Sequence, residues 1–483
     1  MIELKSAVVP KRLMTRPVLM MATALCVCFG APALAQQRAV PSTAGDVRLS
    51  YAPVAKTVSP AVVNVYASRV VPQQRVRGFP FEDPLLQEFF GRQQQSAPRE
   101  RLQRSLGSGV VVSAEGLIVT NNHVIEGMTD VRVSLADQRE FDVDVVLTDP
   151  HSDIAVLRVR DGKGSFPVLP LADSEDIEVG DIVLAVGNPF GLGQTVTQGI
   201  LSAVRRVQNE GGDMSVYLQT DAAINQGNSG GALVDMKGQL VGINTAIFSK
   251  SGGSDGIGFA VPTPIVRLVL DAAKRGDKSV RRPWLGAELQ TVTREIAESL
   301  ELDRPIGALV AELDPGSPAA AGGLKAGDLV TAIDGRPVED PMALTYQLTI
   351  RPIGSQARLA YLRDGREMTA TVKVVSAPES VPRDEQVLGG QGPLSGAKVV
   401  NLSPAVSEEM GLRGPARGVV VTDIARGSIA GRVGFARGDR VLAVNDEEVV
   451  DVKTLAALNS AGARFWKVTI QRNGQVLTQV FRF

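Results

Sequence analysis

The sequence predicts a mainly β protein: two β-barrels closed by a helix, then two copies of a smaller unit. Three observations predict it. Short β-branched runs with glycine at their ends recur between residues 48 and 276. A single serine stands among glycines, in Gly227-Asn228-Ser229-Gly230-Gly231, downstream of both histidines of the chain, His123 and His151. The C-terminal half repeats itself at a fixed offset of 111 residues.

Residues 1–35 read as a cleaved signal peptide. Lys5, Lys11, Arg12 and Arg16 make a basic start, Val18 to Gly30 supply an apolar stretch, and Ala33-Leu34-Ala35 suits cleavage before Gln36. The apolar run is short for a membrane span. The segment contains both cysteines, Cys26 and Cys28, so the mature chain would hold no thiol and no disulfide. Bulky Leu25 and Val27 precede them, which does not suit a lipoprotein cleavage site. A soluble periplasmic protein is expected. Loss of four basic residues and one acid takes the formal net charge from −1 to −4, which gives no electrostatic case for binding nucleic acid. At 483 residues, two to four domains are expected. Hydrophobic residues make up 44% and aromatic residues only 4%, so Val, Ile, Leu and Ala must fill the cores.

Residues 48–276 hold the barrels. Gly109 to Val112 and Leu117 to Thr120 flank a turn at Ala114-Glu115-Gly116, and further runs are Val131–Leu135, Asp181–Val186 and Gln239–Ile243. Their shortness and β-branched content point to strands, and Val131–Leu135 alternates with period two. The segment closes on a helix with Thr263 as N-cap, Pro264 at the first helical position and Gly276 as stop. Residues 68–106 form a long insertion rich in Gln and Arg, whose part 92–106 has the composition of a disordered stretch. Its four phenylalanines, Phe79, Phe81, Phe89 and Phe90, invite a partner.

Ser229 is the candidate nucleophile. A serine hydroxyl needs a base, and with two histidines in the chain the choice is narrow. Glycines at 227, 230 and 231 let the backbone turn sharply and aim N–H groups at a developing oxyanion. In an α/β-hydrolase the serine comes before the histidine. Here the order is His123, Asp153, Ser229, that of a chymotrypsin-like double barrel. Asp149 competes with Asp153 for the third role, but it precedes Pro150 in the turn itself. His151 reads as a loop residue. Neither histidine lies in a H-E-x-x-H pattern, so no metal is expected, and no cofactor.

Three segments together carry a resemblance: Thr120-Asn121-Asn122-His123-Val124, Asp153-Ile154-Ala155-Val156-Leu157, and Thr220 to Leu233 around Asn228-Ser229-Gly230. In order and content they resemble those of the HtrA serine proteases, of the bacterial DegP/DegQ (Do-like) branch, from about residue 48 to the C-terminus. The resemblance implies His123 as general base, Asp153 as its orienting acid and Ser229 as nucleophile. The N–H groups of Gly227 and Ser229 would form the oxyanion hole. It implies that the 68–106 loop reaches a neighbouring subunit, and that the loop Val204 to Asp213 relays peptide binding to the active site. Arg206 falls at the relay position, with Arg205 its rival. An apolar primary pocket of modest size, with no acid at its base, is expected near Ile224 and the strand Asn244 to Ile247, Asp221 being the rival acid.

In the C-terminal half, Gly307-Ala308-Leu309-Val310 aligns with Gly418-Val419-Val420-Val421, Gly316-Ser317 with Gly427-Ser428, and Gly327-Asp328 with Gly438-Asp439. Three matches in register amount to a duplication. The units, residues 281–376 and 394–483, are separated by a linker at 377–393 and look like PDZ domains, which bind peptides by strand addition. In the first, Trp284-Leu285-Gly286-Ala287 resembles the loop that holds a peptide carboxylate, with Arg281 and Arg282 just upstream. In the second, Leu394-Ser395-Gly396-Ala397 is a poorer match, and that unit serves either peptide binding or assembly.

The resulting expectation is an ATP-independent periplasmic serine endopeptidase that degrades misfolded or damaged envelope proteins. Its partners would be unfolded polypeptides, C-terminal peptides and further copies of itself in a trimer-based homo-oligomer. A chaperone or peptide sensor with little proteolysis is the alternative.

Overall fold

The computed structural model describes residues 50–72, 100–162, 165–188, 193–208, 214–225, 227–247, 254–412 and 416–482. The expected signal peptide lies outside the described residues, as do the four phenylalanines of the long insertion.

The first barrel contains β1 (Val62–Pro72), β2 (Glu100–Val111), β3 (Leu117–Thr120), β4 (Asp130–Ser134), β5 (Glu140–Asp149) and β6 (Ile154–Val159), closed in the order β1-β2-β3-β6-β5-β4. The second contains β7 (Ile182–Gly187), β8 (Thr195–Gln208), β9 (Met214–Thr220), β10 (Ala232–Val234), β11 (Leu240–Ile247) and β12 (Gly258–Pro262), closed as β10-β11-β12-β9-β8-β7.

The apolar runs are continuous because several strands are buried on both faces. Along β3, Ile118 points into the first barrel's core, while Leu117 and Val119 point out of it into a layer shared with the second barrel. Along β7, Val183 and Ala185 fill the second barrel while Leu184 and Val186 meet the shared layer. The helix Thr263–Arg275 seals that layer with Val266, Val269 and Leu270, and ends at Gly276 in the left-handed region (φ 76°). Truncating a leucine in such a layer, buried from both sides, costs about 2–5 kcal/mol.

Two stretches expected as loop are strand. Residues 100–106 pair with β1 in an unbroken register from Val62↔Val110 to Pro72↔Glu100, so the disordered reading fails for this end of the insertion. Ladder hydrogen bonds to Val62–Pro72 outweigh a polar composition. Val204 to Gln208 likewise belong to β8 and pair with β9, Arg206 lying opposite Val216. The expected mobile loop is there a hairpin stem.

The first smaller unit runs from β13 (Pro283–Trp284) through β14 (Ala287–Thr291), β15 (Ala308–Leu313), β16 (Leu329–Ile333), β17 (Arg336–Pro337), β18 (Gln356–Arg363) and β19 (Arg366–Lys373) to β20 (Val375–Ser376). Its main sheet has the order β14-β15-β16-β18-β19, which leaves one edge of β14 open to a further strand. The second has β21 (Gln386–Val387), β22 (Ala397–Asn401), β23 (Val419–Ile424), β24 (Arg440–Val444), β25 (Glu447–Glu448), β26 (Phe465–Arg472) and β27 (Gln475–Arg482), ordered β21-β22-β23-β24-β26-β27.

The repeat read in the sequence is a repeat of backbone. Ala308↔Val330 and Leu309↔Leu329 recur as Val419↔Val441 and Val420↔Arg440. Gly307, Gly316 and Gly327 (φ 97°, 74°, 92°) match Gly418, Gly427 and Gly438 (φ 93°, 75°, 92°). Each unit also buries one aspartate beneath a forked arginine. Arg363 holds Asp328 with two bonds of 2.7 Å, and Arg472 holds Asp439 with two of 2.6 Å. A buried carboxylate needs such pairing, and the hydrogen bond to Asp328 raises the pKa of Arg363 above its ordinary value. The linker expected at 377–393 is partly sheet, since it contributes β21, and Leu388 is 2% exposed within the second unit's core.

Candidate active site

The site lies where the barrels meet. His123 sits on the one-turn helix Asn122–Ile125 directly after β3, with its side chain 47% exposed. Asp153 immediately precedes β6 and takes φ 55°, a left-handed value that costs a non-glycine residue about 1–3 kcal/mol. Its carbonyl is held from two sides, by the Asn122 N–H (3.1 Å) and the Asn121 side-chain amide (2.9 Å). So placed, the Asp153 carboxylate accepts from the backbone N–H of His123 through Oδ1 (3.0 Å) and meets the ring Nδ1 through Oδ2 (2.7 Å). An ionised carboxylate only accepts. Nδ1 therefore carries the hydrogen, and in the neutral ring Nε2 keeps its lone pair for an incoming proton.

Asp149 does not compete. It is 5% exposed and its Oδ2 is taken by the Ser152 hydroxyl and by Arg282 (2.5 Å). Arg282, just upstream of Trp284, is thereby engaged by the barrel. Arg281 lies 3.8 Å from Asp277.

Ser229 follows a turn closed by the Asn228 N–H on the Asn225 carbonyl (2.9 Å), with Gly227 at φ 100°, a backbone conformation that favours glycine. The turn is anchored to the first barrel. Ser108 Oγ donates to the Gly227 carbonyl (2.7 Å), and the Ser108 N–H donates to the Ser229 carbonyl (2.8 Å). A Cβ on Gly230 would overlap the Ser108 carbonyl oxygen, which explains the glycine after the serine. Among the described residues, the N–H groups of Gly227 and Ser229 make no hydrogen bond, so both remain available to an anion.

Sequence reasoning did not assign two of the residues that complete the site. Thr245, on β11, donates its hydroxyl to Asp153 Oδ2 (2.6 Å) and offers its carbonyl to the Ser229 hydroxyl (3.0 Å). Ser108, on β2, ties the serine turn as described. Neither has a local signal, because their partners lie 92 and 119 residues away. In this structure the Ser229 hydroxyl donates to Thr245 rather than to His123.

Of the other expected residues, Ile224 is 1% exposed and packs in the second barrel's core. The Asp221 carboxylate accepts the Ile200 N–H (2.7 Å). The side chains of Ile247 and Arg206 lie outside the described residues. Trp284, Leu285, Gly286 and Ala287 border a cavity of about 540 Å³, closed by the helix Pro341–Thr349, by Val216 and Tyr217 of β9, and by Pro404 and Leu412 of the second unit.

Comparison with known proteins places this geometry among others. The profile of the trypsin-like peptidase domain matches residues 107–243 and that of the PDZ domain matches residues 283–374. The periplasmic serine endoprotease DegP of Escherichia coli (strain K12) is 35% identical over 449 residues, covering 89% of this chain and 91% of that protein. A probable periplasmic serine endoprotease, DegP-like, of Rhizobium meliloti (strain 1021) is 38% identical over 449 residues, covering 85% and 87%. Of solved structures, the HtrA-type protease AlgW with tripeptide superposes with a TM-score of 0.52 at 40% identity, covering 70% of this chain and 99% of that one. The same protease with decapeptide gives 0.51 at 41% identity, covering 68% and 99%.

Proposed function

Because the chain belongs to the DegP family of periplasmic serine endoproteases, we propose that His123, Asp153 and Ser229 are its catalytic triad. The observation that carries this reading is the two-point grip of Asp153 on His123, which fixes both the ring's place and its tautomer. Ser229 rotates from the Thr245 carbonyl toward Nε2, loses its proton there and attacks the scissile carbonyl carbon. The developing oxyanion is taken by the N–H groups of Gly227 and Ser229. His123 then hands the proton to the leaving amine, and a water activated by the same nitrogen hydrolyses the acyl-enzyme.

The substrates are polypeptides, and the location is the periplasm. Within that frame, misfolded or damaged envelope proteins are the proposed targets, reached after removal of residues 1–35 and by a trimer-based assembly. Trp284-Leu285-Gly286-Ala287 is the proposed receiver of a C-terminal carboxylate. Cleavage after small aliphatic residues is proposed over cleavage after Lys or Arg, because the expected pocket residue Ile224 is apolar and buried.

Casein digestion tests the triad. Ser229→Ala is expected to remove activity by a factor on the order of 10⁶, with an unchanged melting temperature. His123→Ala should be comparably severe and His151→Ala mild. Equal damage from the two histidine variants would refute the assignment. Light scattering of the mature protein checks the assembly, and its intact mass checks the start at Gln36.

A further inference from the structure

The geometry points to a second peptide groove in this chain, one that its own linker already fills. In the first unit, β14 has an open edge beside the helix Pro341–Thr349. In the second unit the matching strand, β22, has no such edge. The linker runs antiparallel along it, with Gln386↔Val399 and Val387↔Lys398 as partners. Main-chain bonds extend the pairing both ways: the Asn401 N–H donates to the Arg383 carbonyl and the Leu388 N–H to the Ala397 carbonyl, each at 2.8 Å.

The linker also ends where a peptide's terminus would. Gly396 is the counterpart of Gly286. Both have positive φ (88° and 65°), and their carbonyls accept from Ala425 and Asp314 at 2.9 Å. A Cβ on either would overlap the capping serine of the next helix, Ser428 or Ser317. The Gly286 N–H makes no hydrogen bond among the described residues, whereas the Gly396 N–H donates to the Leu388 carbonyl at 2.8 Å. That carbonyl oxygen thus stands where a ligand's carboxylate oxygen would, and the Leu388 side chain lies in the core beside Val399 and Leu455.

A second observation concerns the helix that forms the far wall. The helices Pro341–Thr349 and Val452–Asn459 match at the same offset, so Asn459 replaces Leu348. Asn459 is 1% exposed. Its Oδ1 accepts the Leu394 N–H (3.0 Å), and its amide donates to the Gly389 carbonyl (3.0 Å) and to Ser395 Oγ (3.2 Å). A buried amide left unpaired costs about 1–3 kcal/mol. Asn459 is satisfied by the turn that brings the linker into the groove, and a Cβ at Gly392 would collide with it. Where the first unit offers an apolar wall, the second has a clasp for its own chain. Residues 386–388 are therefore an internal ligand. The groove beneath them takes an extended peptide with a free apolar C-terminal residue once they leave.

The test uses the full-length mature chain with Ser229→Ala, so that peptide is not cut, and a fluorescent decapeptide ending in leucine with a free carboxylate. Leu388→Asp, which expels the plug, is expected to add one bound peptide per chain over the parent. Counting the increment keeps the result independent of what the first unit binds. Trp466, buried in the second core, reports whether that unit stays folded. A folded Leu388→Asp chain that binds no additional peptide overturns the proposal. Independently, Val387→Cys with Lys398→Cys should close a disulfide on oxidation, and in the oxidised chain Leu388→Asp should gain no peptide. Should Leu388→Asp unfold the second unit, the cysteine pair alone decides: a disulfide supports the plug, and failure to oxidise refutes it.

Discussion

Asp153 shows what a motif conveys and what it leaves out. The order His123, Asp153, Ser229 is legible in the chain, and so is the glycine setting of the serine. Asp149 and Asp153 differ in their partners, which the sequence does not show: Asp149 is taken by Ser152 and Arg282, whereas Asp153 faces His123. The third ligand of the Asp153 carboxylate, Thr245, has no sequence signature, because it arrives from a strand of the other barrel. Thr245→Val keeps the shape and the carbonyl while removing the hydroxyl. A hydrogen bond to a charged group is worth about 1.5–3 kcal/mol, so kcat should fall roughly tenfold to a hundredfold with little change in KM. Steady-state kinetics on a chromogenic peptide checks this, and an unchanged kcat would show that Asp153 is held without Thr245.

Elements are legible in the sequence where burial is simple. The double-faced burial of β3 and β7 accounts for their unbroken apolar runs, and Gly276 ends its helix as its residue type implies. That helix starts one residue before the expected Pro264. Thr263 is inside it, and its hydroxyl donates to the Ala172 carbonyl and accepts the Ser174 N–H instead of capping. Strands made of polar or linker-like residues, such as 100–106 and Gln386–Val387, carry no such signal, because pairing across the fold creates them. The join between barrel and first unit was equally silent. Arg282 and Asp149 form a buried ion pair there, with side chains 11% and 6% exposed. Arg282→Ala strands a buried carboxylate and is expected to cost about 3–5 kcal/mol. Adding Asp149→Asn should return part of that. Thermal melts of the single and double variants decide it, and equal melting temperatures would mean that Asp149 finds water or another partner.

At the scale of the molecule, the cavity beside Trp284-Leu285-Gly286-Ala287 joins three regions that the sequence presents as separate. Val216 and Tyr217 belong to the second barrel, and Val216 pairs with Arg206 on the hairpin expected to relay peptide binding. Pro404 and Leu412 come from the second unit. A peptide in this cavity would meet Val216 and Tyr217 of β9, the partner strand of the segment that carries Arg206. A peptide with an apolar free C-terminus should raise turnover of a small chromogenic substrate in the wild type and less in Arg206→Ala. Equal stimulation would remove Arg206 from the coupling, and none in either protein would remove the coupling itself.

The hairpin of β1 and β2 has a practical consequence. Its register is closed out to Pro72↔Glu100, so whatever residues 73–99 do, their two ends leave the barrel as paired neighbours. Ends held this close make the position a candidate site for a short replacement turn. Replacing residues 73–99 with Asn-Gly, a dipeptide suited to a two-residue hairpin turn, should leave the melting temperature of the Ser229→Ala protein within a few degrees. Any function lost in that shortened protein would belong to the excised segment alone, and other inserts can be spliced into the same position.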